Sequence, residues 1–508
     1  MEGHRYVLGI DCGTQSLRVA LYRSDGVQVA TASAPYPTDR PNINWAEQNP
    51  HHWWEALCQA VPRCLSQAQV PPDTIAALAC DGTSCTVVFS DEAGIPLRPA
   101  ILWMDIRAAA EAQCVEATGD AVLEYCGRRI SPEWLLPKVL WVHREQPEVY
   151  RRAARIVEGV DWLVYRLTGR WVTSNSNAAG KRHWTPLTSW PVDLHEGLGL
   201  ERMDAKAPDE VIYLGDPVAP LDPEAAAALG LSRSCVVAHG GMDGWTAFVG
   251  KNCFVPEAVS LTLGTSNVVI AETDRPRPID GVMGPFPDGL RRGTCVYEAG
   301  QASGGSIIQW FLEIAGLAGD PKAHRTLESE AGSVPPGADG LVVFDAWRGN
   351  RTPYFDPLAR GNICGLTLEH TRAHVYRALL EGAAYGLRNV LATLESGGQS
   401  IAELRACGSG SGNRLYAGII ADVTRRPVLI SREKEATCLG SAVCAAVAAG
   451  FYGRLPEAAA AMAPEFDPVE PTGCADHYDA FFERYLETYQ RMKDTMHGLA
   501  GMNREPTS

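Results

Sequence analysis

The sequence predicts an α/β chain folded as two large domains of related architecture with a cleft between them. Three observations predict it. The 508 residues exceed one ordinary core, and 46% of them are apolar, enough for substantial ones. Short β-branched or apolar runs alternate with helix-period segments along most of the chain. The same opening, strand, glycine-hydroxyl turn, strand, occurs twice about half a chain apart: "GIDCGTQSLRVALY" from Gly9 and "AVSLTLGTSNVVIAET" from Ala258.

The elements follow in order. "YVLGID" and "LRVALY" read as strands, a turn at Ser24–Gly26 leads into "VQVAT", and the three form an antiparallel meander. Trp53 to Ser66 is helical, with Trp54, Leu57 and Val61 on its packed face. "IAALACDG" is a strand ending at a candidate site, and "CTVVFSDEAGIPL" a hairpin turning at Glu92–Gly94. The domain boundary falls near Gly250 to Pro256, giving domains 1–250 and 251–497. In the second domain "GQASGGSIIQWF" opens a helix, and "RGNRTPYFDPLARGNICGLTLEHT" is a long Gly-, Pro- and Arg-rich segment. A helix then runs from Arg372 to about Leu394. "LRACGSGSGNRLYAGIIADVT" is strand, glycine-rich turn, helix, and "ATCLGSAVCAAVAAG" a small-residue helix able to pack closely. His477 to Met496 is a helix with a core stripe of Phe481, Tyr485 and Tyr489; residues 498–508 are expected to form a flexible tail.

Composition narrows the function. With 45 basic and 60 acidic residues the net charge is −15, which argues against a nucleic-acid or anionic-membrane surface. Any phosphate must be held locally. The 15 cysteines are scattered without metal-ligand spacing and are expected to be reduced, hence a cytoplasmic protein. No run approaches the ~20 apolar residues of a membrane span. Asp11 interrupts the one early apolar run, so no signal peptide is expected. Adjacent His51 and His52 cannot face one metal from a helix start and read as packing and capping.

Asp11 sits at a tight turn with Gly13, Thr14, Gln15 and Ser16. Glycine lets backbone N–H groups converge on an anion, and the hydroxyls add donors. An acid there would repel bare phosphate, so it makes sense with Mg2+ between them. Arg18 is placed to neutralise transferred charge. Gly264, Thr265 and Ser266 offer a second cradle, and Gly408 to Asn413 ("GSGSGN") a third, between a strand and a helix N-terminus. Three such turns, one carrying an acid, point to a nucleoside triphosphate across a cleft. The run "CVVAHGGMDGW" delivers Asp243 at a helix start, where a carboxylate could take a proton from an alcohol.

Taken together, "GIDCGTQSLR", "GGMDGW", "LTLGTSN", "GNICGLTLEHTRAHVYRALLEGAAYGLR", "GSGSGNRLYAGIIADVTRRPV" and "ATCLGSAVCAA" resemble, in this order, the FGGY family of carbohydrate kinases, with its actin/hexokinase-like (ribonuclease H-like) domains. The resemblance implies phosphorylation of a small sugar or polyol using ATP and Mg2+. It makes Asp243 the catalytic base and, with Asp11, a metal-holding acid. Gly13, Thr14, Gln15, Arg18, Gly264, Thr265, Ser266, Gly408, Gly410 and Asn413 would line the nucleotide site. A homodimer fits the resemblance, though no stretch marks an interface.

The resemblance also bears on substrate. Asp81, Gly82, Thr83 and Ser84 stand where glycerol kinases carry Arg-Glu and xylulokinases Gln-Met-His-Gly. "AILWMDIRA" resembles the family's Trp-x-Asp-x-Arg element, so Trp103 and Asp105 are expected to flank the sugar. Lys181 in "NAAGKRHW" and Glu298 in "YEAGQASGG" resemble ribulokinase substrate residues, favouring a ribulose-like pentulose. A xylulose, tetritol or pentitol kinase is the near alternative. An actin-like ATPase scaffold is the alternative of another class, and a catalytically idle sensor is disfavoured by the intact acids.

Overall fold

The computed structural model describes residues 5–502. Two sheets organise them, and each repeats one pattern. The first has strands in the order Pro217–Pro220, Val236–Met242, Ile75–Gly82, Tyr6–Cys12, Ser16–Arg23, Gln28–Pro35. Tyr6–Cys12 to Gln28–Pro35 is the antiparallel meander, while Ile75–Gly82 and Val236–Met242 add in parallel. The second sheet runs Met283–Pro287, Cys295–Gln301, Asn267–Thr273, Ala258–Leu263, Glu403–Cys407, Val428–Ser431, Phe466–Val469. Its meander of Ala258–Leu263, Asn267–Thr273 and Cys295–Gln301 is again antiparallel, with Glu403–Cys407 and Val428–Ser431 parallel beside it. The order third, second, first, fourth, fifth is therefore built twice. In the first sheet Tyr6–Cys12, Ile75–Gly82 and Val236–Met242 are nearly all buried, which is why they read as continuous apolar runs rather than alternating ones.

Two helices cross where the sheets meet. Asp243–Gly250 leaves the first sheet, and Ala436–Ala448 leaves the second yet packs on Tyr6–Cys12, Ile75–Gly82 and Val236–Met242 of the first. The small residues have a measurable purpose. A Cβ on Gly250 would lie 2.0 Å from the Ala436 carbonyl oxygen, and one on Gly440 would lie 2.0 Å from that of Thr246. The two backbones touch, so neither position has room for a side chain. Gly9 makes the same close approach, its Cβ position 1.8 Å from the Cys438 oxygen.

Several local expectations shift. The first long helix is Pro50–Ala68, and its buried stripe contains Trp53, Leu57 and Val61; Trp54 lies off it, with the Arg166 guanidinium 4.6 Å from its ring. The hairpin at Glu92–Gly94 forms, but its return arm is a single bridge, Ser90 to Pro96. The last helix, Ala475–Met502, runs past the expected tail boundary because Met496 and Ala500 are buried; residues 503–508 lie outside the described residues. All fifteen cysteines are free thiols, and no helix among the described residues is long and apolar enough to cross a membrane.

Candidate active site

The strand ends of the first sheet bring acids together. Asp11 pairs in register with Arg18 on its antiparallel neighbour and with Asp81 on its parallel one. Asp11 is buried. Its Oδ2 accepts from Arg18 at 3.1 Å and from Thr437 Oγ1, on the crossing helix, at 3.1 Å. Burial raises its pKa, opposed by Arg18. Arg18, expected to neutralise transferred charge, is turned to Asp11 and lies 3.7 Å from Glu435. The Thr14 hydroxyl accepts from Trp103 Nε1 at 3.0 Å, and its carbonyl from Gln48 at 2.7 Å. Gln15 is exposed beside them.

Asp243 is the first residue of its helix, with Oδ1 accepting from Gly244 N at 2.7 Å. Burial, and after it the charge of Asp11, raises its pKa to about 7. What aims it is a bulge in Val236–Met242 between His239 and Gly241. Gly241 adopts φ 85°, outside the range of most side chains. His239 Nδ1 accepts from Gly241 N at 3.0 Å while Nε2 donates to Asp161 at 2.9 Å. Arg182 holds the other Asp161 oxygen at 3.2 Å, and the trio is buried.

Across from Asp243, Lys181 Nζ lies 2.9 Å from Glu298 Oε1, and Trp245 Nε1 donates to Glu298 Oε2 at 3.0 Å. This ion pair joins the two halves of the chain. Burial works against both charges, but each partner outweighs it: Lys181 is held above its usual range and Glu298 below. Both charges are felt at Asp243, so the three expected residues lie near one another. Trp103 stands half-buried beside the first turn. Asp105 does not join these three. It is fully buried, with its oxygens taken by Ala46 N at 2.6 Å and by Arg107 at 2.6 to 3.0 Å.

The remaining turns adjoin one another. Gly264 and Thr265 lend their carbonyls to Gly305, Gly304 and Ser306 at the start of helix Gly305–Ile314, beside Ser266. Gly408 has φ 94°, and its Cβ position is 2.5 Å from the Leu263 oxygen; that of Gly410 is 3.0 Å from Leu263 Cβ. The third turn thus lies on the second, and at Gly408 only glycine fits between them. Asn413 differs from expectation. It caps helix Arg414–Thr424 through Tyr416 N at 2.9 Å and donates to Tyr376 at 3.1 Å, so both ends of its amide are engaged within the chain.

Comparison with known proteins settles the family. The model of the FGGY family of carbohydrate kinases, N-terminal domain, matches residues 6–250, and that of the C-terminal domain matches 259–449. The chain belongs to the FGGY family of carbohydrate kinases. It is 31% identical to a ribulokinase of Geobacillus thermodenitrificans over 539 aligned positions, covering 97% of this chain and 94% of that one. A xylulose kinase of Bacillus subtilis is 28% identical over 96% of this chain and 98% of its own. The crystal structure of a xylulose kinase from Rhodospirillum rubrum superposes with a TM-score of 0.83 at 26% identity, over 97% of this chain and all of that one.

In this FGGY kinase the sequence reading missed three groups. Asp81 had been noted only as a difference from other substrate classes, yet it is fully buried beside Asp11, with Oδ2 accepting from Ser441 Oγ at 2.7 Å. Lys138 is buried under the Trp103 segment, donating to the carbonyls of Cys85, Leu102 and Trp103 at 2.7 to 3.3 Å; burial lowers its pKa to about 8. Arg351 comes from the Arg-rich segment of the second half, lies 3.7 Å from Glu133 of the first, and adds its charge to Lys181 and Glu298. A lone lysine in an apolar helix and an arginine in "GNRTP" were the available signals.

Proposed function

We propose that this chain transfers the γ-phosphoryl group of MgATP to the terminal primary hydroxyl of a small ketose, a ribulose-like pentulose. The observation that carries the reading is Asp243, held at about 7 and close enough to the Lys181–Glu298 pair to feel both charges. A carboxylate of that pKa can take a hydroxyl proton near neutral pH. The ammonium of Lys181 and the carboxylate of Glu298 are matched to the oxygens and hydroxyls of a polyhydroxy ketone. Such a site rejects analogues that leave its buried polar groups unpaired.

The residues present fit the implied nucleotide and metal. Gly408 and Gly410 lie on Leu263 where a Cβ would crowd it, and Asp11 offers an oxygen donor of the kind Mg2+ takes, with Asp243 near enough for its charge to be felt. When bound, MgATP supplies the phosphoryl group and a cation against its charge. Asp243 accepts the proton of the attacking hydroxyl and is kept in line by the His239–Asp161 support. Lys181 and Glu298 orient the sugar, and contacts between the two halves exclude water that would take the phosphoryl group in its place.

Ribulokinase relatives at 31% identity support the pentulose reading; xylulose kinase relatives at 28% keep the neighbouring substrate as the second reading. A coupled ADP-release assay over pentuloses, tetritols and pentitols tests it. A ribulose should give kcat/KM at least about tenfold above any xylulose or polyol. A preference for a xylulose would select the second reading, and equal ADP release without acceptor would select an ATPase.

A further inference from the structure

Asp81 ends Ile75–Gly82 in register with Asp11. Its side chain is fully enclosed. Ser441 holds Oδ2, while Oδ1 has no hydrogen-bond partner. The Asp11 carboxyl is within hydrogen-bond reach of the Asp81 carboxyl, and Asp243 is near enough for its charge to be felt. Facing carboxylates away from water repel unless a cation or a proton lies between them. Within the chain, Arg18 and Thr437 both engage Asp11 Oδ2 and leave Asp81 Oδ1 unanswered. A purely structural acid would be expected to have both oxygens occupied, as Asp105 does.

We propose that Asp81 is a carboxylate of the magnesium seat, its free oxygen completing with Asp11 the pair that holds the hydrated cation. Mg2+ takes one or two carboxylates and keeps several waters, which suits two acids on neighbouring strand ends. Ser441 fixes the second oxygen, so that the first is aimed. Gly240 makes room for this contact: a Cβ there would lie 2.2 Å from Ser441 Oγ and 2.8 Å from Asp81 N. Because Ser441 rides on the crossing helix, the cation seat is completed only when that helix is docked on the first sheet.

The proposal rests on Asp11 being a metal-holding acid, and the test separates the two. Mn2+ is titrated into the full-length protein with ADP and followed by electron paramagnetic resonance. Asp81→Asn, which keeps the shape and removes the charge, should weaken Mn2+ by about tenfold or more. Ser441→Ala, which leaves the charge, should weaken it distinctly less. The melting temperature without ligand checks that the Asn variant is folded; if it is not, Asp81→Ser takes its place. Mn2+ binding unchanged in the Asp81 variant but lost in Asp11→Asn overturns the proposal and leaves the role of Asp11 standing. Equal losses in Asp81→Asn and Ser441→Ala also overturn it, reducing Asp81 to an anchor for the helix. Mn2+ binding unaffected by Asp11→Asn removes the reading beneath it, and the proposal with it.

Discussion

At the scale of single residues, function depends on charges that burial would suppress and neighbours restore or redirect. Asp243 is the clearest case. Its pKa is raised to about 7, so it is the ionised form, populated above that pH, that can accept a proton. A plot of kcat/KM against pH should therefore fall about tenfold per unit below 7 and level off above it. Asp243→Asn should lower kcat by about 10²–10⁴-fold and leave sugar binding, measured by calorimetry, within a few-fold. Lys181→Met removes one proposed charged partner of the sugar and leaves Glu298 buried without its cation. The expected result is a loss of about 10–100-fold in kcat/KM for the sugar, with the KM for ATP little changed. Asp11 and Asp243 stand in local patterns of glycines and strand ends, whereas Lys181 and Glu298 were expected from the family resemblance. Asp105 was misread because Arg107, two residues on, takes up its charge. Asp81 was missed because its partner Ser441 lies 360 positions away.

At the scale of elements, the helices Asp243–Gly250 and Ala436–Ala448 decide how the two halves meet. Their contact at Gly250 and Gly440 is backbone on backbone. Gly250→Ala must push them apart and should cost about 1–3 kcal/mol of stability, read from a denaturant midpoint. The shift would also move Asp243 at the far end of the same helix, so kcat should fall beyond what the loss of folded protein explains. The composition "ATCLGSAVCAAVAAG" announced close packing. That it packs on the first sheet rather than the second was not legible, since small residues reveal how near a partner comes but not which partner it is. The Trp53 and Trp54 choice was similar: both fit a helical stripe, and only the packing of Trp53 against Trp162 settles which turns inward.

At the scale of the whole molecule, two copies of one topology face each other and are joined by Lys181–Glu298, Arg351–Glu133, Asp11–Thr437 and Asp81–Ser441. Arg351 reaches from the second half to Glu133 of the first and adds its charge to Lys181 and Glu298. Arg351→Ala should lower kcat/KM for the sugar by about tenfold, with the unfolding free energy changed by less than about 1 kcal/mol, as for a partly exposed pair. A fall in stability without a change in kinetics would reject a functional role.

The sequence by itself determined the element types, the doubled opening, the glycine turns and the placing of Asp11 and Asp243 beside such turns. Those features are written in short-range periodicity and in residues a few positions apart. Tertiary structure alone decided which acids meet, which charges are already answered and where the crossing helix docks. Electrostatics and close packing act through space, between residues tens to hundreds of positions apart in the chain.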